Sequence, residues 1–335
     1  MYIYIEYLFN IRGYLYMLIN IILFLIGFIL ITKGADIFIN CTVEIGKKTN
    51  ISEIILGATI VSFATTLPEL TVSLLASLEG HTTMSLGNAV GSIICNTGLI
   101  LGLVSFISPF KVDKNMFFSK SILLLICVTI LLLLAIDKNI TKIDSILLLF
   151  MLIVYMYSNY KSVTKNSSRL IGGKQIKVKR ERNISEWLRI ILFFTLGLIM
   201  MVIGSRMLVD NGVKIAEYID VPQEVISLTV IALGTSLPEL VSSLTAIKKN
   251  HHAISVGNIL GANILNIVSV IGISSILNNI PILSQNMNID FPFMILLLLI
   301  LILPTIKNNK LYRCQGLIML IIYFIYIVTL YTMYI

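Results

Sequence analysis

Two copies of one short motif place a glutamate in the middle of a long apolar run. The first copy reads SFATTLPELTVS over Ser62–Ser73, and the second reads ALGTSLPELVSS over Ala232–Ser243. An acidic residue at the centre of a membrane span costs on the order of 2.5–3.5 kcal/mol, so a carboxylate at that depth needs a partner of opposite charge. Two such carboxylates indicate a cation, and one divalent ion would cancel both charges.

A helix cap is the simpler interpretation of each motif. Thr66-x-x-Glu69 and Ser236-x-x-Glu239 match the capping box, with a proline in the first turn. Because a proline removes one backbone hydrogen bond and clashes with the carbonyl one turn earlier, each helix is expected to break before its proline and then restart. Capping alone leaves the choice of glutamate unexplained, since glutamine could cap a helix without carrying a charge into the membrane.

The other ligands that the two motifs offer are oxygen atoms. Hydroxyl groups come from Thr65, Thr66, Thr235 and Ser236, and the broken helices are expected to free the backbone carbonyls of Ser62 and Ala232. Such hard ligands, with no His or Cys among them, favour calcium or an alkali ion over zinc or copper. Calcium takes about 6–8 oxygens in a flexible geometry, which a set of this kind can supply.

A second motif follows each of the first two. It reads SLGNAVGSIICN over Ser85–Asn96 and SVGNILGANILN over Ser255–Asn266. Glycines four residues apart give each helix a small face for close contact with another helix. The helical period places Asn88, Ser92 and Asn96 near that face, and likewise Asn258 and Asn266. These amides could bind an ion or could join helices by hydrogen bonds, and both interpretations stay open.

The composition places these motifs in a membrane. The 335 residues are 57% hydrophobic and 13% charged, against about 45–50% and about 25% in soluble domains. Apolar runs of about 20 residues recur along the chain, which predicts an all-α polytopic membrane protein. The ten predicted spans cover residues 15–32, 53–78, 84–108, 117–136, 142–159, 187–208, 223–247, 253–275, 289–306 and 315–334.

Basic residues predict one orientation for the whole chain. If the Lys- and Arg-rich stretch 161–186 is cytoplasmic, all 25 Lys and Arg lie inside except Arg12, Lys138, Lys142, Arg206 and Lys214. Positive charge favours the cytoplasmic side, so the chain is predicted to lie in the cell membrane with both termini outside. The basic loop is first a topology signal that anionic lipid headgroups could bind, and no nucleic-acid role is expected.

The chain repeats itself after a shift of 170 residues. Thr65–Leu70 then lies over Thr235–Leu240, and the glycines and asparagines of the second motif also superpose. Five predicted spans lie in residues 1–160 and five in 187–335, on either side of the loop 161–186. Because five is odd, the two halves are predicted to be inverted repeats with broken helices 2 and 7, a plan of secondary transporters that bind their substrate at the midplane.

At these motifs the sequence resembles the sodium/calcium exchanger branch of the calcium:cation antiporter superfamily, in its prokaryotic form without a regulatory domain. The signature blocks match at Gly57–Leu103 and Ser227–Ile273. The resemblance implies that the first and sixth spans slide as a gate across the other eight. It implies calcium ligands at Thr65, Glu69, Thr235 and Glu239, and sodium or auxiliary sites at Ser62, Thr66, Ser92, Asn96, Ala232, Ser236 and Asn266.

The resemblance predicts an antiporter that moves Ca²⁺ in exchange for Na⁺ by alternating access. Two departures put sodium in question: Asn266 stands where some exchangers carry aspartate, and Ala262 where a serine hydroxyl is frequent. The alternative is a Ca²⁺/H⁺ antiporter in which the same two glutamates carry protons when no metal is bound.

Other function classes fit the sequence less well. An enzyme would need a nucleophile with a base or a histidine metal site, whereas the three histidines lie at predicted span ends and the four cysteines have no metal-like spacing. Inverted repeats around a closed carboxylate site favour alternating access over a passive channel. No enzyme activity and no cofactor are therefore expected.

Overall fold

A computed structural model describes residues 2–171, 184–218 and 234–334 of the chain, nearly all of them helical. The helices are α1 Tyr2–Thr49, α2 Glu53–Leu56, α3 Ser62–Thr65, α4 Leu67–Leu78, α5 Thr82–Ile94, α6 Gly102–Ile107, α7 Lys114–Leu134, α8 Lys142–Ile171, α9 Ile184–Tyr218, α10 Leu237–Lys248, α11 His252–Leu265, α12 Gly272–Leu277, α13 Phe291–Asn308 and α14 Arg313–Tyr334. Wider π-helical turns at Gly57–Val61, Cys95–Leu101 and Asn266–Ile271 join α2 to α3, α5 to α6 and α11 to α12, and one at Asn286–Asp290 precedes α13.

Four two-residue strands lie at the ends of the helices: β1 Phe110–Lys111, β2 Asn139–Ile140, β3 Ile280–Pro281 and β4 Lys310–Leu311. They correct the prediction of a purely helical chain. β1 pairs with β4 and β2 with β3, both antiparallel. Each pair takes one strand from each half of the chain, so the two halves are joined at both ribbons.

Nine of the ten predicted spans have counterparts in the described part of the chain. Eight helices there are long and apolar enough to cross a membrane, and the bent pair Glu53–Thr65 and Leu67–Leu78 forms a ninth. The seventh predicted span, 223–247, lies partly outside the described residues, and α10 is its described part. The finding agrees with a multi-pass helical protein.

Several helices run well beyond their predicted ends. α1 continues to Thr49 and α9 to Tyr218, so Lys33, Lys47, Lys48 and Lys214 lie on helices instead of in connections. α8 continues to Ile171, into the predicted loop. Hydropathy marks where apolar side chains stop, whereas backbone hydrogen bonding continues until a turn or a proline ends it.

Lys120, which the orientation prediction counts among the cytoplasmic charges, does not lie at the protein surface. Its side chain is 2% exposed, inside α7. The ammonium group donates a hydrogen bond to Asn159 Oδ1 and lies 5.5 Å from the ring centre of Tyr155. A lysine near the end of a span is therefore a poor marker of the membrane surface when another helix supplies an acceptor.

The 170-residue repeat is visible in the backbone. α4 and α10, α6 and α12, and β1 and β3 each have bounds that differ by 170. The turns after α4 and α10 hold Gly80 at φ 85° and Asn250 at φ 63°, at equivalent positions. Glycine and asparagine are the residues that enter this left-handed region most readily, so the same tight turn ends both helices.

The most buried helices lie at the centre of the molecule. The apolar window of His252–Leu277 is 89% buried and that of Thr82–Ile107 is 72% buried, whereas that of Leu15–Thr49 is 17% buried. The second-motif helices therefore form the core, and α1 lies at the periphery. A Cβ atom added to Gly57 would lie 3.0 Å from the Cα atom of Gly257, so the second span and α11 approach as closely as two backbones can.

α1 and α9 form a second close pair. A Cβ atom at Gly34 would lie 2.8 Å from the carbonyl oxygen of Gly197, and one at Gly197 would lie 2.8 Å from that of Gly34. Two ion pairs, Lys48–Glu186 at 2.5 Å and Arg189–Glu44 at 3.6 Å, join the same two helices at one end. Because glycine alone permits this approach, the contact fixes the two helices as one unit.

We expect Gly34→Leu to destabilise the protein, because a side chain there meets backbone that cannot give way. Overpacking of this kind costs about 1–3 kcal/mol. Thermal unfolding in detergent should show a lower midpoint, whereas the matched control Ile29→Leu, at an exposed position of the same helix, should leave it unchanged. Equal midpoints for Gly34→Leu and wild type would show that the helices do not touch there.

Candidate cation site

Each of the first two motifs restarts a helix with its glutamate in the first turn. α3 ends at Thr65, and α4 begins at Leu67 with Pro68 in its first turn, at an angle of 41°. Pro68 has no N–H group for the carbonyl one turn earlier, so the helix cannot continue straight. α10 begins in the same way, with Pro238 in the first turn.

The predicted capping boxes do not form. Neither Thr66 nor Ser236 makes a side-chain hydrogen bond to the start of its helix. Each glutamate carboxyl lies near its own backbone amide, but no described group donates a hydrogen bond of normal geometry to it. Helix capping therefore does not explain the two acidic residues.

Glu69 and Glu239 meet in the interior. Both are 0% exposed, and their carboxyl groups are close enough to interact electrostatically. Thr65 also lies beside the Glu239 carboxyl group. All four carboxylate oxygens lack a hydrogen-bond partner among the described residues. Two adjacent buried carboxyl groups without donors form an incomplete site, because such groups are normally paired or bound to a metal.

Two hydrogen-bonded chains cross between the halves beside the carboxylates. Thr65 donates to Asn258 Oδ1 at 3.2 Å, and the Asn258 amide donates to Ser242 at 3.2 Å. In the second chain, Thr235 donates to Asn88 Oδ1 at 3.2 Å, and Asn88 donates to Ser73 at 2.9 Å. The threonine–asparagine bond is equivalent in the two chains after a shift of 170 residues, whereas the final serines, Ser242 and Ser73, are not equivalent. The Thr65 hydroxyl is thereby held beside the Glu239 carboxyl group, and the Thr235 hydroxyl is held by an amide of the opposite half.

Asn88 and Asn258 make interhelical hydrogen bonds in this structure. Asn88 also donates to the backbone carbonyl of Glu69 at 3.2 Å. An amide oxygen has two lone pairs, so each Oδ1 retains one acceptor position besides the bond from threonine. The amides therefore join the helices and still present oxygen to the site.

The remaining predicted ligands that the structure describes are buried polar residues. Ser236 donates to Ser92 at 3.3 Å, and both are buried. Several buried polar atoms lack a partner among the described residues: the Thr66 hydroxyl, Asn96 Oδ1, and both amide atoms of Asn266. Ser62 is 0% exposed, and its hydroxyl donates to the Thr59 carbonyl at 3.2 Å. Ala232 lies outside the described residues.

One expected ligand differs from the prediction. The Ser62 carbonyl is not freed by the helix break, because the Thr66 amide donates to it at 2.9 Å. Its helix keeps its hydrogen bonds up to Thr66 and breaks only at the proline. Any ion at this carbonyl would have to share it with that amide.

Sequence reasoning missed one buried amide. Asn263 is 0% exposed; its Oδ1 accepts from Asn96 at 3.2 Å, and its amide donates to Thr97 at 2.9 Å. The equivalent residue in the first half is Ile93, so comparison of the halves could not find it. The sequence did hold a signal for Asn263, because it lies one helical turn before Asn266 and therefore on nearly the same face of the helix.

The arrangement can hold a cation without a cluster of charged ligands. Within the described ranges, no three or more His, Cys, Asp and Glu residues converge on one point. Two carboxylates and several neutral oxygens are the groups that meet at the midpoint of the repeats. Carboxylate, hydroxyl and amide oxygens are ligands for hard cations such as calcium.

Comparisons with known proteins agree with this chemistry. The model of the family described as sodium/calcium exchanger protein matches residues 19–161 and 189–332. The sodium/calcium exchanger MaX1 of Methanosarcina acetivorans is 26% identical, covering 93% of this chain and 99% of that protein. Inner membrane protein YrbG of Escherichia coli is 33% identical, covering 78% and 81%.

A solved structure matches over almost the whole fold. It is that of the sodium-calcium exchanger NCX_Mj soaked with 10 mM Na⁺ and zero Ca²⁺, with a TM-score of 0.79 and 32% identity. The match covers 93% of this chain and 99% of that chain. The likeness therefore extends to the helices that hold the carboxylate pair and to those around it.

We expect Glu69→Gln and Glu239→Gln to raise thermal stability in buffer free of divalent cations. Either change removes one buried charge, and the new amide can donate to the remaining carboxylate. Satisfying a buried polar group is worth about 1–3 kcal/mol. The midpoint of unfolding should rise for both variants, while Glu79→Gln, at an exposed acid, should have no effect. A lower midpoint for either site variant would contradict an unpaired carboxylate pair.

Proposed function

Since the chain belongs to the sodium/calcium exchanger family, we propose that it is a secondary antiporter that moves Ca²⁺ across the membrane in exchange for Na⁺ by alternating access. Membership makes it a cation exchanger and a multi-pass membrane protein. The observation that supports the choice of ions most directly is the pair Glu69 and Glu239, buried together with no donor in the described part of the chain. One divalent cation such as Ca²⁺ would neutralise the charges of both carboxylates.

The proposed calcium ligands are the two glutamates and the two threonines that precede them. Glu69 and Glu239 supply carboxylate oxygens, and Thr65 and Thr235 supply hydroxyls that the amides of the opposite half hold in place. Calcium takes about 6–8 oxygens at about 2.3–2.6 Å. Bidentate carboxylates together with these hydroxyls and backbone carbonyls reach that number.

The proposed sodium sites flank the calcium site and share its glutamates. Their further ligands are Ser62, Thr66, Ser92, Asn96, Ala232, Ser236 and Asn266. The unpartnered atoms of Thr66, Asn96 and Asn266 support this assignment, because buried polar atoms are seldom left without a partner. Sodium and calcium then compete for the same carboxylates, so they bind in turn and one ion's entry drives the other's release.

The proposed architecture has ten spans in two inverted five-helix repeats, with both termini outside and the loop 161–186 in the cytoplasm. Each strand pair takes one strand from each half, and the threonine–asparagine hydrogen bonds recur at equivalent positions. Both observations support a two-fold relation between the halves. α1 and α9 pack on each other at the periphery. They are the elements proposed to slide across the core and to open the site to one side at a time.

Proton coupling is the second candidate, and Asn266 favours it. A neutral amide in place of aspartate leaves the sodium sites with two carboxylates only, and both amide atoms of Asn266 lack a partner among the described residues. Each glutamate could carry a proton in the step in which sodium otherwise neutralises it. The same two residues would serve either cycle.

Calcium flux into vesicles separates the two cycles. Vesicles that contain the protein and are preloaded with sodium should take up radioactive calcium when diluted into sodium-free buffer, because outward sodium flow drives inward calcium flow. Uptake that follows an imposed pH gradient and ignores sodium would replace sodium by protons as the counter-ion. Uptake that needs neither gradient would contradict antiport.

The matched controls for this flux are single substitutions in the carboxylate pair. Glu69→Gln and Glu239→Gln should each reduce gradient-driven uptake to the level of empty vesicles, because one remaining carboxylate cannot neutralise a divalent ion. Asp137→Asn, at an exposed acid in the turn after α7, should retain uptake. Normal flux in both glutamine variants would remove the carboxylates from the mechanism.

A further inference from the structure

We propose that two ion pairs of opposite polarity, Lys249 with Asp36 and Arg206 with Glu79, form in alternation and hold the two end states of the transport cycle. The inference rests on the proposed alternating-access function. It adds residues outside the cation site that set which face of the protein is open. It follows from an interaction present on one side of the molecule, from the 170-residue repeat, and from a cavity on the other side.

The first ion pair is present in the structure. Lys249 is the C-cap residue of α10. Its ammonium group contacts α1 at three atoms: Asp36 Oδ1 at 3.2 Å, the Asp36 carbonyl at 3.1 Å and Asn40 Oδ1 at 2.7 Å. α10 belongs to the second broken span and carries Glu239. The contact therefore ties the peripheral pair α1 and α9 to a helix that carries a site carboxylate.

The repeat supplies the same triad on the opposite side with its charges reversed. After a shift of 170 residues, Asp36 corresponds to Arg206, Asn40 to Asp210 and Lys249 to Glu79. Arg206 and Asp210 lie on α9, and Glu79 is the C-cap residue of α4. Both triads combine a long basic side chain with a shorter acidic one, so the distance that the pair can span is similar.

This second ion pair is not formed in the structure. Within the part of the chain that the structure describes, neither Arg206 nor Glu79 makes an ion pair, and both side chains are exposed. A cavity of about 180 Å³ lies instead between α4 and α9. Its lining includes Pro68, Arg206, Asp210 and Thr235, so it extends from these charges to a proposed calcium ligand.

The equivalent surfaces on the side of Lys249 are closed. Thr65 and Ile39 are 0% exposed and Pro238 is buried, whereas their counterparts Thr235, Val209 and Pro68 are partly exposed. The closed side is the one with the ion pair, and the accessible side is the one without it. In the proposed orientation the accessible side faces outward.

The other end state follows from exchanging the two halves. When α1 and α9 slide, Lys249 loses Asp36, and Arg206 comes to Glu79 and closes the outer cavity. Asp210 then stands beside Arg206, so that the guanidinium group lies between two carboxylates. Because each pair forms only when the other is broken, neither end state is favoured by charge alone.

The test compares the KM for calcium at the two faces, measured with right-side-out and inverted membrane vesicles. Lys249→Met should raise the KM at the outer face and lower it at the inner face, because the outward state loses its ion pair. Arg206→Met should do the reverse. Partly exposed ion pairs of this kind are expected to shift each KM roughly two- to fivefold.

Two further variants exclude a merely structural effect. The exchange Asp36→Lys with Lys249→Glu should restore the wild-type ratio of the two KM values, and Glu79→Gln, at an exposed position, should reproduce Arg206→Met. The inference of alternating ion pairs would be overturned if both KM values moved in the same direction. It would also be overturned if the exchange variant had the same ratio of KM values as Lys249→Glu alone. Wild-type vesicles without calcium antiport would instead overturn the proposed function, and this inference with it.

Discussion

Glu69 and Glu239 set the constraint on which the rest of the structure depends. Two adjacent carboxyl groups, each 0% exposed and without a described donor, are unfavourable when both are charged, because like charges at short range repel and burial removes them from bulk solvent. The pair is therefore stable only when something positive is added to it. A protein that needs a cation to complete its core is suited to binding one and, if the core opens alternately, to moving it.

Four features of the fold position this pair, and the first two recur at equivalent positions in both halves. A proline breaks each helix just ahead of its glutamate, and an amide from the opposite half holds each neighbouring threonine. Glycine at Gly57 and Gly257 lets the second span and α11 approach closely enough for those hydrogen bonds. The strand pairs β1–β4 and β2–β3 join the two halves at the ends of the helices.

The cation site is built from equivalent residues of the two halves, but the two halves differ in how exposed these residues are. The hydrogen bonds around the carboxylates repeat in both halves, but Thr65 is fully buried while Thr235 is partly exposed. A symmetric protein would present the site equally to both faces and would leak. The departure from symmetry at the periphery, in α1, α9 and the residues that contact them, is what lets one face be closed while the other is open.

The sequence predicted the parts of this arrangement that depend on local pattern. Apolar runs located nine spans, and the prolines located the helix breaks, because both act through neighbouring residues. It did not predict features set by contacts between distant segments: the acceptor that buries Lys120, the amide of Asn263 that departs from the repeat, and the extension of α1 to Thr49. The capping boxes failed because the two carboxyl groups lie beside each other, where neither accepts a hydrogen bond from its N-cap residue.

Diffraction from crystals soaked with calcium or strontium tests the central claim most directly. The account predicts one divalent-cation peak in the anomalous difference map, with carboxylate oxygens of both Glu69 and Glu239 at about 2.3–2.6 Å for calcium, and no such peak in crystals of Glu239→Gln. A cation bound to only one of the two glutamates, or no peak between them at saturating calcium, would contradict it.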